Sequence, residues 1–226
     1  MKHLLVLSVF LVIGLLTVSS CKKEKEKEID PEPPPPPELE GIVINGVRWA
    51  TCNVDMPGVF ATNPEDAGMF YQWNRKVGWS STDPMINSDG GTQWDNTYPP
   101  GDWDPENDPC PLGWRMPTMK ELESLAEAKP YFGELKGVPG CFFGDKSNPL
   151  FLPAPSGRGE HSGMLNPEGS EYRKCGFYWG SSVNHAYKAS RLGLNYSVAY
   201  IETEYVDRRR GFCVRCVAAE NKSAHR

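Results

Sequence analysis

The distribution of apolar and polar positions divides the chain into three stretches. Residues Leu4 to Leu16 are almost wholly apolar, residues 22–37 have no apolar period at all, and from Gly41 short apolar runs alternate with turns. Ile42-Val43-Ile44 and Val47-Arg48-Trp49-Ala50 flank Asn45-Gly46, which predicts a tight hairpin, because Asn-Gly accepts the positive φ angles such a turn demands. Turn residues run from Asn53 to Gly68 and are followed by an aromatic stretch, Met69 to Trp73. One segment has a helical period: Leu122, Leu125 and Ala126 form one apolar face behind a capping box of Thr118 and Glu121, and Pro130 ends it. Leu150–Leu152, Gly176–Trp179, Ala189–Leu194, Val198–Ile201 and Gly211–Ala218 read as short strands. The expected class is α+β, with mostly antiparallel pairing and a single clear helix.

The first forty residues define a location. Lys2 and His3 precede the apolar run, which is shorter than the ~18–20 residues a bilayer span requires. Val18-Ser19-Ser20-Cys21 resembles the bacterial lipobox, and the resemblance implies cleavage after residue 20 and acylation of Cys21. Multiple acyl chains on one residue make a stable membrane anchor. Residues 21–40 then read as a tether: lysines alternating with glutamates, followed by Pro33 to Pro37, a stiff polyproline rod. A charged run directly after the lipidated cysteine is similar to the surface-export signals of Bacteroidetes lipoproteins. The expectation is an outer-membrane lipoprotein displayed at the surface, with periplasm-facing attachment as the alternative. Residues 41–219 form the domain, about 180 residues that fit one full core, and 220–226 a flexible tail.

Composition narrows the function. A net charge of -5 excludes nucleic acid as the main partner, since phosphate binding needs a basic face. The one basic cluster, Arg208-Arg209-Arg210, reads as a solvated loop before a strand. Seven Trp, 9 Tyr and 9 Phe stand against 22 Gly and 21 Pro, the balance of short strands joined by long loops. Such loops need staples. Cys52, Cys110, Cys141, Cys175, Cys213 and Cys216 remain after Cys21, and six cysteines in an exported chain read as disulfides with fifteen pairings open. Cys213 and Cys216 are three apart on a strand and so face opposite sides; without a bend they cannot share an ion or bridge each other, which favours disulfides to different partners. Phe212, Val214 and Cys216 are expected on one face, Cys213 and Arg215 on the other.

Asp83 to Pro109 is long, polar and rich in Asp, Asn, Gly and Pro, and structureless segments of this length inside a domain tend to be functional. Its oxygens make Asp89, Asp95, Asp102 and Asp104 candidate calcium ligands. Ser88-Asp89-Gly90-Gly91 lacks EF-hand spacing, and a set of Asx turns is the plainer reading. Trp79, Trp94, Tyr98 and Trp103 lie in or beside this segment and are the candidate ligand-binding rings, each of which competes with a packing role. For catalysis the chain offers little. His161 and His185 lie in loops, no nucleophile elbow, zinc helix or phosphate loop occurs, and Arg158 between Gly157 and Gly159 reads as a turn.

Three segments together carry a family resemblance: Gly46 to Val54, Cys110-Pro-Leu-Gly-Trp-Arg-Met-Pro-Thr118 running into Glu121 and Leu122, and Phe151 to Ala154 through Tyr178 to Ser182 and on to Val217. In this order they resemble the Fibrobacter succinogenes major paralogous domain, found in surface lipoproteins of Bacteroidetes and Fibrobacteres. The resemblance implies a C-type lectin-like fold, with twisted antiparallel strands and long, disulfide-stapled loops, and no general enzymatic role. Within the second segment Gly113 permits a turn, Trp114 anchors the loop, Pro117 sets the approach to the helix, and Arg115 is placed to bond carbonyls or a carboxylate. A bridge from Cys110 to Cys216 would tie the helix entrance to the last strand, and closing so long a loop would contribute roughly 2–5 kcal/mol. The functional expectation is a non-catalytic lipoprotein whose lectin-like domain binds glycan or protein. The alternative is a structural or assembly component of a surface complex.

Overall fold

The computed structural model describes residues 40–99, 101–165, 174–196 and 200–219. The expected signal peptide, the lipidated Cys21, the tether and the tail lie outside the described residues.

The strands are β1 (Ile42–Ile44), β2 (Val47–Trp49), β3 (Phe70–Gln72), β4 (Gly78–Trp79) and β5 (Trp114–Arg115). Helix α1 (Met119–Ala126) follows, then β6 (Tyr131–Leu135), β7 (Val138–Phe143), β8 (Leu150–Pro153), β9 (Cys175–His185), β10 (Lys188–Asn195), β11 (Tyr200–Asp207), β12 (Gly211–Phe212) and β13 (Val217–Ala218). They form four antiparallel sheets, ordered β1-β2-β13-β5, β11-β10-β9, β12-β3-β4 and β6-β7-β8. The mostly antiparallel α+β expectation therefore holds.

Asn45 and Gly46 stand at φ 50° and 82° between β1 and β2, as the hairpin requires. Lys136 and Gly137 repeat the device at φ 49° and 83° between β6 and β7, a hairpin the apolar pattern does not predict, because Gly133, Pro139 and Gly140 interrupt it. The stretch Gly211–Ala218 is not one continuous strand. It splits into β12 and β13, and the extended residues between them still alternate: Phe212, Val214 and Cys216 enter one apolar cluster with Tyr71, Trp73 and Trp179, while Cys213 enters the other with Phe70, Leu122 and Leu192.

At the start of α1 the capping box forms in full, with the Thr118 side chain accepting from the Glu121 N–H and Glu121 accepting from the Thr118 N–H at 2.7 Å. Arg115 donates to both Glu121 oxygens, at 2.9 and 2.7 Å, and to the Met116 carbonyl at 3.0 Å. Met119, Leu122 and Leu125 are the buried face. The helix lies close over β9 because position 180 is glycine: a Cβ there would come within 2.8 Å of the Leu122 side chain and 2.5 Å of the Ser190 hydroxyl.

The single disulfide among the described residues joins Cys110 to Cys216 across 106 residues. The expectation that the remaining cysteines pair is corrected: Cys52, Cys141 and Cys213 carry free thiols, and Cys175 lies outside that bridge, buried at the start of β9. Burial pushes the Cys141 and Cys213 thiols up to about 12, so both are neutral in the folded chain and pack as small apolar groups.

Candidate functional site

The polar segment from Ser80 to Pro109 is held from below by arginines. Arg158 is 1% exposed and lies in antiparallel bridges to Gly211 and Leu165, which corrects its reading as a turn. Paired backbone bonds to Gly211 fix its position, at 2.8 and 3.0 Å. Its Nε donates to the Ser80 carbonyl at 2.9 Å, Nη1 to the Gly163 carbonyl at 2.6 Å, and Nη2 to the Thr82 carbonyl at 2.7 Å. The Asp83 carboxylate stands at 3.3 Å. Burial lowers the guanidinium from its ordinary value, and Asp83 opposes that. A planar fork of five donors suits such a ring of carbonyls.

Arg208 does the same work further along. It is 2% exposed, so the basic cluster is not a solvated loop. Its guanidinium lies 4.3 Å from the Trp73 ring centre, and Nη1 donates to the carbonyls of Pro99 and Gly101 at 3.0 and 3.2 Å. The two neighbouring arginines are paired as well, Arg209 with Asp207 at 2.7 Å and Arg210 with Glu160 at 3.0 Å.

Three of the four candidate rings are spent on the same packing. Trp79, Trp94 and Trp103 are 3%, 7% and 9% exposed. Trp79 and Trp94 meet at 5.0 Å, Trp94 donates to the Glu160 carbonyl at 3.3 Å, and Trp103 stands edge-on to Trp73 at 5.2 Å. Rings so enclosed have no free face for a sugar to stack on, a correction to the role expected of them.

The four candidate calcium ligands are not brought together. Asp95 accepts from the Thr97 N–H and hydroxyl and pairs with Arg75 at 2.8 Å. Burial alone would raise its carboxyl, but the Thr97 and Arg75 bonds outweigh it and hold the group below the usual range. Asp104 caps the short 3-10 turn Pro105–Asn107, the Asp89 N–H donates to Asn87, and Asp102 is exposed, accepts from Asn74 through its carbonyl and faces Arg208 with its carboxylate. Among the described residues no three His, Cys, Asp or Glu side chains converge to hold a metal.

Tyr98 differs from the three tryptophans. It is half-buried. Its hydroxyl donates to Asp207 at 2.9 Å, the Arg209 guanidinium lies 4.4 Å from its ring centre, and Tyr187 meets it at 4.9 Å and 68°. Burial first, and the Asp207 carboxylate second, raise the Tyr98 hydroxyl above its ordinary value, so it stays a donor. Tyr187 is 54% exposed at the β9–β10 turn, beside the Lys188↔Asp207 pair of the β10–β11 register. Two rings, a carboxylate and a guanidinium thus form a fixed, open platform. Tyr187, Asp207 and Arg209 were not legible as site residues, since nothing local links positions 98, 187 and 207.

Comparison of the chain with family models, with curated proteins and with solved structures returns no match.

Proposed function

We propose that the chain is a non-catalytic envelope lipoprotein, anchored through Cys21 in the outer membrane and displayed at the surface, whose domain binds a glycan or protein ligand. The domain's resemblance to the Fibrobacter major paralogous family, and through it to C-type lectin-like folds, supports this reading. The observation that carries it is the Tyr98–Tyr187 platform. An exposed ring beside hydrogen-bonding groups that are already oriented meets both needs of carbohydrate or peptide recognition, apolar contact and directed polar bonds.

The test is a glycan array probed with the full chain carrying Cys21→Ser, alongside Tyr187→Ala and Tyr98→Phe variants, with calcium and with EDTA. Saturable binding that falls at least tenfold in Tyr187→Ala supports the platform. Binding that both variants retain in full would sink it. Loss in EDTA alone would return calcium and the Ser80–Pro109 segment to the centre.

The burial of Trp79, Trp94 and Trp103 favours a second reading, in which the domain is a rigid structural or assembly component of a surface complex. Failure of every glycan to bind a folded sample, together with co-purification of a stoichiometric envelope protein, would select it.

A further inference from the structure

The carboxylate of the Tyr98–Tyr187 platform is already filled. Asp207 Oδ1 accepts from the Arg209 N–H at 2.9 Å and from Arg209 Nε at 3.0 Å. Its Oδ2 accepts from Arg209 Nη2 at 2.7 Å and from the Tyr98 hydroxyl at 2.9 Å. An ionised carboxylate offers about four lone-pair sites, so these bonds leave little for the hydroxyls of a ligand. Burial would raise the Asp207 carboxyl, but the Arg209 and Tyr98 bonds outweigh it and hold the group below its ordinary value. Asp207 is thus a fixed anion whose capacity its own neighbours consume.

What remains is donors and positive charge. Arg209 spends Nε and Nη2 on Asp207, while its Nη1 bonds nothing among the described residues. Lys188 follows Tyr187, is exposed, and has no ion pair among the described residues. In the β10–β11 register Lys188 stands opposite Asp207, and directly opposed residues share one face of a sheet. The nearby carboxylates do not cancel this charge, because Asp95 is paired with Arg75 at 2.8 Å and Glu160 with Arg210 at 3.0 Å. With Arg209 balanced by Asp207, the ammonium of Lys188 is left over, a local positive surplus in a chain whose net charge is -5.

We infer that the platform selects an anionic pyranose, whose ring lies against Tyr187 and whose carboxylate or sulfate accepts from Arg209 Nη1 and Lys188. This rests on the proposal that the platform binds a ligand, and adds the ligand's class. Tyr187 is 54% exposed, so much of its ring meets solvent, and an aromatic face beside charged donors matches a sugar ring that carries an acid at its edge. An acidic peptide would satisfy the same donors, but its carboxylate side chains bring no flat apolar face to the ring.

The test is calorimetric titration of the full chain carrying Cys21→Ser with cellobiose, cellobiouronic acid, cellobiose 6-sulfate and an end-blocked triaspartate peptide, at low and high salt. At least one acidic sugar should bind about fivefold or more tightly than cellobiose, the margin of a partly exposed ion pair, and high salt should erase that margin. A response to cellobiouronic acid alone identifies a carboxylate, and one to the sulfate alone a sulfated sugar. Lys188→Gln, which alters an exposed side chain and should melt with the parent, should cut the margin from about fivefold to about twofold. Equal binding of all three sugars that disappears in Tyr187→Ala overturns the charge selection and leaves the platform standing. An undiminished margin in Lys188→Gln also overturns it. Binding of the peptide alone overturns it in favour of an acidic protein segment. Saturable binding of none of the four overturns it too, and the glycan array then decides whether the platform binds any ligand.

Discussion

Replacing Arg158 by Met separates two explanations of why the long polar segment is ordered. In the first, the Arg158–Asp83 ion pair holds it; in the second, the guanidinium's bonds to backbone carbonyls do. Asp83 decides between them, since its side chain is 66% exposed while that of Arg158 is fully enclosed. A pair with one partner in water contributes little, at most about 1 kcal/mol. Arg158→Met instead strands the carbonyls of Ser80 and Gly163, bonded at 2.9 and 2.6 Å, while the Thr82 carbonyl keeps its bond from the Ser80 hydroxyl at 2.8 Å. At about 1 kcal/mol or slightly more for each of the two orphaned acceptors, the loss is about 2–3 kcal/mol, partly offset because no charge is then buried. A net destabilisation of about 2 kcal/mol is expected for Arg158→Met, against less than about 1 kcal/mol for Asp83→Asn. Urea denaturation of both variants with the disulfide intact measures this, and limited proteolysis within residues 80–109 reports the segment itself. Equal losses for the two variants would refute the reasoning, because the ion pair would then be the tie.

Two further predictions address the thiols and acid stability. In native chain carrying Cys21→Ser, iodoacetamide should label Cys52, which is partly exposed, and leave Cys141 and Cys213 untouched until denaturant is added; mass spectrometry of the labelled peptides checks this, and native labelling of Cys213 would contradict its burial. Burial would raise the Glu121 carboxyl, but bonds from Arg115 and from the Thr118 N–H outweigh it and hold the group below its ordinary value. The sign follows: the folded state binds this proton less readily than the unfolded state, so Glu121 stabilises the fold above the ordinary carboxylate range and that contribution is lost as pH falls through the lowered value. Glu121→Gln should flatten the acid limb of a stability-versus-pH profile, and an unchanged limb would show that the Arg115 fork contributes nothing there.

What the chain announces in its residues, and what it conceals, follows the range of the interactions. The Asn45-Gly46 turn and the Thr118–Glu121 box are local bargains between neighbours, and both form as read. Alternation through Phe212 to Cys216 is also local, and it survives the break between β12 and β13. Arg158 reads as a turn and Arg208 as part of a solvated loop because arginine is rarely enclosed, and the carbonyls that receive them come from positions such as Ser80, Thr82 and Pro99 that no spacing connects to them. Tryptophans in a polar loop looked available for ligands for the same reason: Trp103 packs on Trp73 and Trp94 bonds the Glu160 carbonyl, partners that no spacing connects to them. Cysteine number says nothing about which sulfurs meet, so among the described residues the Cys110–Cys216 bridge stands alone where six pairing residues were expected.

The pairing of the first strands with the last has a mechanical consequence. Load entering the domain through Gly41 falls first on β1, three residues long at the edge of its sheet. Pulled from its open end, β1 comes away from β2 one bonded pair at a time, like a zipper, under modest force. The next element in the load path resists differently. Trp49 is 1% exposed and pairs with Val217, the Ala50 N–H is bonded to the Cys216 carbonyl at 2.9 Å, and Cys216 is covalently joined to Cys110. The domain thus has a short sacrificial strand in series with a covalently locked seam, so a brief tug spends itself on β1 and leaves the rest of the fold loaded but intact.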